Sequence, residues 1–203
     1  MIKIIFLLLA VISTPLAIFA ELKVLAFAGS TRADSYNKKL VREAAEKARE
    51  MGAQVTVIDL KDYPMPLYDA DLEAKNGMPE NVKKLRQIMM AHDAMIIASP
   101  EYNASMSAVL KNAIDWTSRT EDGKFSKAAY KGKKIAIMSA TTGKRGGARS
   151  LSHLRMVLED VGGVVVSPQV EVPRVHEFTL EKEERKMAVL KEELQALLSN
   201  SPL

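Results

Sequence analysis

Hydrophobic residues along this chain follow two alternating rhythms. Mainly apolar runs occupy residues 22–28, 94–99 and 134–139, and a β-branched run, QVTVIDL, occupies 54–60. Runs of this length bounded by glycine, proline or polar clusters predict strands, most of them buried on both faces as in a parallel sheet. Between them the spacing becomes helical. Leu40, Val41, Ala44, Ala45 and Ala48 share one face behind Ser35, a residue type suited to cap a helix, and Gly52 ends the pattern. A second helix is predicted over 79–92, with Pro79 in its first turn, and a third over 106–119. A fourth carries Leu151, Leu154, Val157, Leu158 and Val161 to Gly162-Gly163 and a short strand at 164–166, and a last one spans 180–198. Residues 61–76 and 121–131 hold no period. The first segment reads as a long loop over the carboxyl ends of the strands, the second as a polar surface excursion. Strands alternating with helices predict an α/β protein with an open, mainly parallel sheet covered on both faces.

Composition sharpens this in four ways. With 203 residues, 47% hydrophobic and 27% charged, the chain suits one domain with a sizeable core. Residues 1–20 stand apart: Lys3, an apolar run at 4–12, then Ser13-Thr14-Pro15 and a small residue, Ala20, have the layout of a secretory signal or hydrophobic anchor. That segment is short and interrupted for a membrane span, so the folded domain is expected over 21–203, with membrane contact only through 1–20. Its export layout argues for a periplasmic or secreted protein, whereas the cofactor considered below argues for the cytoplasm. The net charge of +4 is mild and its cations are interleaved with acids, which speaks against a nucleic-acid groove and suits anionic small molecules. Without cysteine the chain has no disulfide, thiolate metal site or Cys nucleophile, and His92, His153 and His176 are too scattered to suggest a metal site.

Open parallel sheets bind ligands beyond the carboxyl ends of their strands, where strand order reverses. Three candidate loops leave at that edge: 29–37, 100–105 and 139–147. In the first, Gly29 permits a tight turn, Ser30 and Ser35 offer hydroxyls, Asn37 an amide, and Arg32 a guanidinium suited to a phosphate. It matches neither G-x-G-x-x-G nor a P-loop, which counts against a dinucleotide fold or an NTPase; the other reading is a capped helix with a solvated Arg32. In the second, Pro100, Glu101, Tyr102 and Asn103 put an aromatic face and an amide where a planar ring could lie. Glu101 is expected to hold the loop through backbone N–H groups and not to act as a base. In the third, Gly143, Gly146 and Gly147 permit close backbone approach, and Ser139, Thr141 and Thr142 supply hydroxyls. Arg145 and Arg149 could meet an anion, although for Arg145, as for Lys144, a solvated cation on a surface turn is the favoured reading.

The stretches GSTRADSYN, SPEYNASMSAVLKNAIDW and SATTGKRGGARSLSHLR together resemble the NAD(P)H-dependent FMN reductases of flavodoxin-like fold, a group that includes quinone, azo-dye and chromate reductases; the resemblance covers about 22–173. It implies a three-layer α/β/α sandwich with a five-stranded parallel sheet in the order 2-1-3-4-5. It also implies FMN, with NADPH or NADH as co-substrate, and a ping-pong transfer to a small-molecule acceptor with no catalytic side chain and no metal. By position, Ser30, Arg32, Ser35 and Asn37 match the phosphate loop, Pro100 to Asn103 the residues along the isoalloxazine, and Ser139, Thr141, Thr142 and Gly143 the ring's far edge. Lys111, Asn112 and Trp116 match a stretch expected to be structural and close to a subunit interface of a homodimer or homotetramer. Ser107-Ala108 stand where the family often has Pro-Gly, which alters the expected pocket floor. The rival is a non-catalytic flavodoxin-like electron carrier, against which the basic charge counts.

Overall fold

The structure is a computed structural model that describes residues 21–177 and 179–199; the signal-like segment lies outside them. The four long runs form β1 (Lys23–Ala28), β2 (Gln54–Asp59), β3 (Ala94–Ala98) and β4 (Lys134–Ala140), followed by two short strands, β5 (Val164–Val165) and β6 (Val170–Val172). All pair in parallel in the order β2-β1-β3-β4-β5, with β6 also on β4. Ala28 lies opposite Ala98, and Ala98 opposite Met138, so β1, β3 and β4 reach the carboxyl edge at the same level.

The fifth position differs from a single strand. β5 pairs with Lys134 and Ile135, while β6 pairs with Met138, Ser139 and Ala140. Pro168, between them, has no N–H to give a ladder. Side chains fill the gap: the Ile137 N–H donates to Glu193 Oε1 at 2.9 Å, and Arg155 donates to the carbonyls of Val165 and Val166 at 2.9 and 3.0 Å.

The helices are α1 (Tyr36–Glu50), α2 (Ala70–Asn76), α3 (Glu80–Met90), α4 (Ala108–Thr117), α5 (Ala148–Asp160) and α6 (Leu180–Leu198). Because side chains alternate along a strand, the two sheet faces differ. Val24, Ala26, Ala28, Ala94, Ala98, Ala136 and Ala140 make one face mostly small, and α1 lies on it through Ala44, Ala45 and Ala48, beside Leu190, Leu194 and Leu197 of α6. Leu25, Phe27, Met95, Ile97, Ile135 and Ile137 make the other face bulky, and it carries α3, α4 and α5. Three layers in this order are what the resemblance implied.

Two segments read as irregular are more ordered than their patterns predict. Within 61–76, Asp69 caps α2 by accepting from the N–H groups of Asp71 and Leu72 at 2.8 and 3.1 Å, and Gly77, at φ 72°, ends it. Seven residues are too few to display a helical period, though a start signal, Asp69, and a stop signal, Gly77, are both present. This segment is bound to α4: Pro66 O accepts from Asn112 Nδ2 at 2.9 Å and Trp116 Nε1 at 2.8 Å, and buried Glu73 takes Arg119 at 2.8 Å. Asn112 and Trp116 are therefore structural, as expected. Within 121–131, Ala129 and Tyr130 are fully buried, with the Tyr130 hydroxyl 2.6 Å from that of Thr117, so the excursion returns to the core.

Candidate functional site

Gly29 is required by packing. Its N–H donates to Ala98 O at 2.8 Å, its carbonyl accepts from Ser107 Oγ at 2.6 Å, and a Cβ there would lie 2.7 Å from Leu110 Cβ. The loop after β1 is thus drawn down onto the start of α4, and Ser30 and Ser35 are buried as it turns. Ser35 caps α1, accepting from Lys38 N at 3.4 Å. The N–H groups of Ser30, Thr31, Ala33 and Asp34 donate to no protein acceptor among the described residues. Those of Tyr36 and Asn37, in the first turn of α1, have no intrahelical partner either. A row of open donors at the positive end of a helix dipole accepts an anion, and exposed Arg32 stands beside it. The Lys39 ammonium, hydrogen-bonded at 2.5 Å, holds the Asp34 carboxyl below its ordinary range, so that charge is compensated.

Asn37 plays a different part from the one predicted. Its amide donates to Ala140 O and accepts from Ala140 N–H, both at 3.0 Å, and is spent on pinning α1 to the end of β4. Only its backbone N–H is left for an anion.

After β3 the chain is locked before it turns. Ser99 N–H donates to Met138 O at 2.8 Å, and Pro100 O accepts from the hydroxyls of Ser99 and Ser150 at 3.0 and 3.2 Å. Glu101 reaches the N-terminus of α5, accepting from Ser150 N–H at 3.2 Å and from Arg149 at 3.3 Å, the scaffold role expected of it. Tyr102 and Ser105 then exchange two backbone hydrogen bonds of 3.0 Å around Asn103 and Ala104, at φ 49° and 66°. Two central residues at positive φ make a type I′ turn, which leaves the Tyr102 ring half exposed and the N–H groups of Asn103 and Ala104 without protein acceptors among the described residues.

After β4, Thr141 N–H donates to Val172 O at 3.0 Å and Gly143 O accepts from Arg174 N–H at 3.0 Å, which fastens this loop to β6 and the turn beyond it. Thr142 and Gly143 are exposed and Thr141 half-buried. Ser139 is not on this surface: it is fully buried beneath Gly147, where a Cβ would sit 2.0 Å from its Oγ. The structure thus gathers Ser30, Arg32, Ser35, Tyr102, Asn103, Thr141, Thr142 and Gly143 along one edge, at the reversal of strand order, and withdraws Ser139 and the Asn37 amide from it. Ser107 and Ser150 lock the loops from below; the sequence reading noted Ser107 only as a change in the pocket floor and missed Ser150. Ser107 carries a helix-cap signal ahead of α4, whereas Ser150 has no local one. Among the described residues no group of three His, Cys, Asp or Glu is placed to hold a metal.

Residues 22–177 match the profile of the family described as NADPH-dependent FMN reductase. The chain belongs to the NADPH-dependent FMN reductase family. It is 41% identical over 138 residues to an NAD(P)H-dependent FMN reductase of Pseudomonas aeruginosa, covering 68% of this chain and 70% of the relative. It is 35% identical over 150 residues to a quinone reductase of Escherichia coli, covering 72% and 74%. Among solved structures, FerB from Paracoccus denitrificans, described as a flavoenzyme NAD(P)H:(acceptor) oxidoreductase, superposes with a TM-score of 0.69 at 29% identity over 86% of this chain and 94% of that one. The fold of this family is the flavodoxin-like arrangement described above.

Proposed function

We propose that this family member is an NAD(P)H-dependent, FMN-containing oxidoreductase that reduces quinones, flavins, azo compounds or metal oxyanions by a ping-pong cycle. The observation that supports this best is the row of open N–H donors over residues 30–37, next to an exposed aromatic at the following strand end and a glycine-bearing loop at the one after. In this reading Ser30, Arg32, Ser35 and the first turn of α1 hold a monophosphate. Pro100, Glu101, Tyr102 and Asn103 form the support along a planar ring, and Thr141, Thr142 and Gly143 bound its far edge. When bound by these residues, FMN would supply the hydride chemistry between the nicotinamide and the acceptor.

The chain's own contributions are binding and orientation. The α1 dipole and Arg32 offset the phosphate charge. Glu101, held by α5, keeps the 100–105 backbone in place, so the open N–H groups of Asn103 and Ala104 can meet the ring's polar edge. Tyr102 offers a face for stacking. Ser139 lies beneath this loop, where Gly147, lacking a Cβ, leaves room for its hydroxyl. We also propose that the chain works as a homodimer or homotetramer.

Purified full-length protein tests this directly. A yellow preparation with flavin absorbance that oxidises NAD(P)H in the presence of a quinone, and runs as a dimer or tetramer by light scattering, is expected. Colourless protein that takes up no added FMN would sink the assignment.

A further inference from the structure

A second depression, of about 690 Å³, lies on the other side of the 141–147 loop. β6 and the turn after it form the floor, the outer flank of that loop forms one wall, and α6 forms the other. Six cations line it against three carboxylates. The carboxylates are already engaged. Glu177 meets Lys182 at 3.1 Å and Arg174 at 3.6 Å, Glu183 meets Lys186 at 2.6 Å, and Glu171 accepts from Gln169 at 2.8 Å. Lys144, Arg145 and Arg185 line the same groove and meet no carboxylate within ion-pair distance among the described residues. Read along the chain, Lys144 and Arg145 are favoured as solvated cations; the fold sets them in one groove with Arg185, which comes from a helix 40 residues beyond Arg145.

We propose that this groove takes the adenosine half of the reduced dinucleotide, and that Lys144, Arg145 and Arg185 bind its 2′-phosphate, so that the protein selects NADPH over NADH. The inference rests on the flavin reading above. Three arguments carry it. The groove is continuous with the proposed ring edge, because Lys144 and Arg145 directly follow Gly143, whose carbonyl accepts from Arg174 N–H on the groove floor. Its volume suits a nucleoside, within the few-hundred-Å³ range of small-ligand sites. Its spare charge suits a phosphomonoester near two negative charges at neutral pH, which two guanidiniums and an ammonium would meet with charge-assisted hydrogen bonds. NADH has only a hydroxyl at that position and gains nothing from the three cations.

The test uses full-length holoenzyme and the variants Arg145→Ala, Arg185→Ala and their combination. Removing each guanidinium is expected to raise KM for NADPH roughly tenfold, the loss of one charge-assisted hydrogen bond. KM for NADH and the flavin content per chain should stay as in the parent. Arg145→Lys should recover part of the loss. Equal changes for both dinucleotides, or none for either, would overturn the proposal. Calorimetric titration with 2′,5′-ADP and with 5′-AMP separates it from the flavin reading, since it needs no turnover. Tighter binding of 2′,5′-ADP that disappears in the double variant supports the groove even if the protein takes up no FMN. Equal binding of the two nucleotides by flavin-loaded protein overturns the groove and leaves the flavin reading standing.

Discussion

At the residue scale, the turn that presents Tyr102 is held in a conformation its sequence only half supports. Asn103 tolerates φ 49°, since asparagine visits the left-handed region readily. Ala104, at φ 66°, does not, because its Cβ crowds the following carbonyl by about 1–2 kcal/mol. Glycine at position 104 removes that strain but returns part of the gain through a freer unfolded chain. Ala104→Gly should therefore raise stability by up to about 1 kcal/mol in urea titrations, and Ala104→Val, with a branched Cβ at positive φ, should lose about 1–3 kcal/mol. A stabilising Ala104→Val would contradict the strained-turn reading. Residues also differed in how readable they were. Glu101 could be placed as a scaffold because no acid or histidine stands near it in sequence to make a catalytic pair. Asn37 could not be placed, because the carbonyl and N–H that consume its amide belong to Ala140, 103 residues away.

At the element scale, the long strands and helices were legible because each repeats its rhythm often enough to be counted. β6 and α2 were not, having three and seven residues. The broken fifth position leaves its mark on Glu193, which is fully buried with Oε2 lacking a protein partner. Burial pushes its carboxyl well above the usual range, while the Ile137 N–H and the Arg155 charge work downward without cancelling it. A raised folded value means that Glu193 supports the fold fully below its unfolded pKa of about 4.3 and loses that support as pH climbs towards the folded value. Thermal melts of the wild type should fall more steeply than those of Glu193→Gln as pH rises above the unfolded value of about 4.3, since the variant keeps the acceptor for Ile137 N–H without a charge. At the upper end the variant should be the more stable by on the order of 1–3 kcal/mol. Glu193→Leu, which leaves that N–H buried and unpaired, should be less stable than Glu193→Gln. Parallel pH profiles for wild type and Glu193→Gln would show that this carboxyl does not titrate with folding.

At the scale of the whole molecule, a parallel sheet covered on both faces was legible from the alternation of strands and helices, and its strand order from the family resemblance, whereas the groove beside α6 was invisible because its cations come from three separate segments. The loop proposed to hold the phosphate lies between these extremes: its residues are local, but the proposed role depends on three strands ending at one level, which the register supplies. A ligand held by loops leaving β1, β3 and β4 stabilises the folded chain as a unit. At a concentration about 100-fold above Kd the linkage amounts to about 2.7 kcal/mol, which for a domain of this size raises Tm by roughly 5–10 °C. Arg32 is exposed, so Arg32→Ala should leave the melting of FMN-free protein nearly unchanged. Removing one charge-assisted contact to the phosphate should weaken FMN roughly tenfold and take about 1.4 kcal/mol from the stabilisation at the same FMN concentration. Differential scanning fluorimetry with and without FMN reads both quantities from one sample. A lower melting point for FMN-free Arg32→Ala would make the residue structural, and an undiminished shift with FMN would move the phosphate away from this loop.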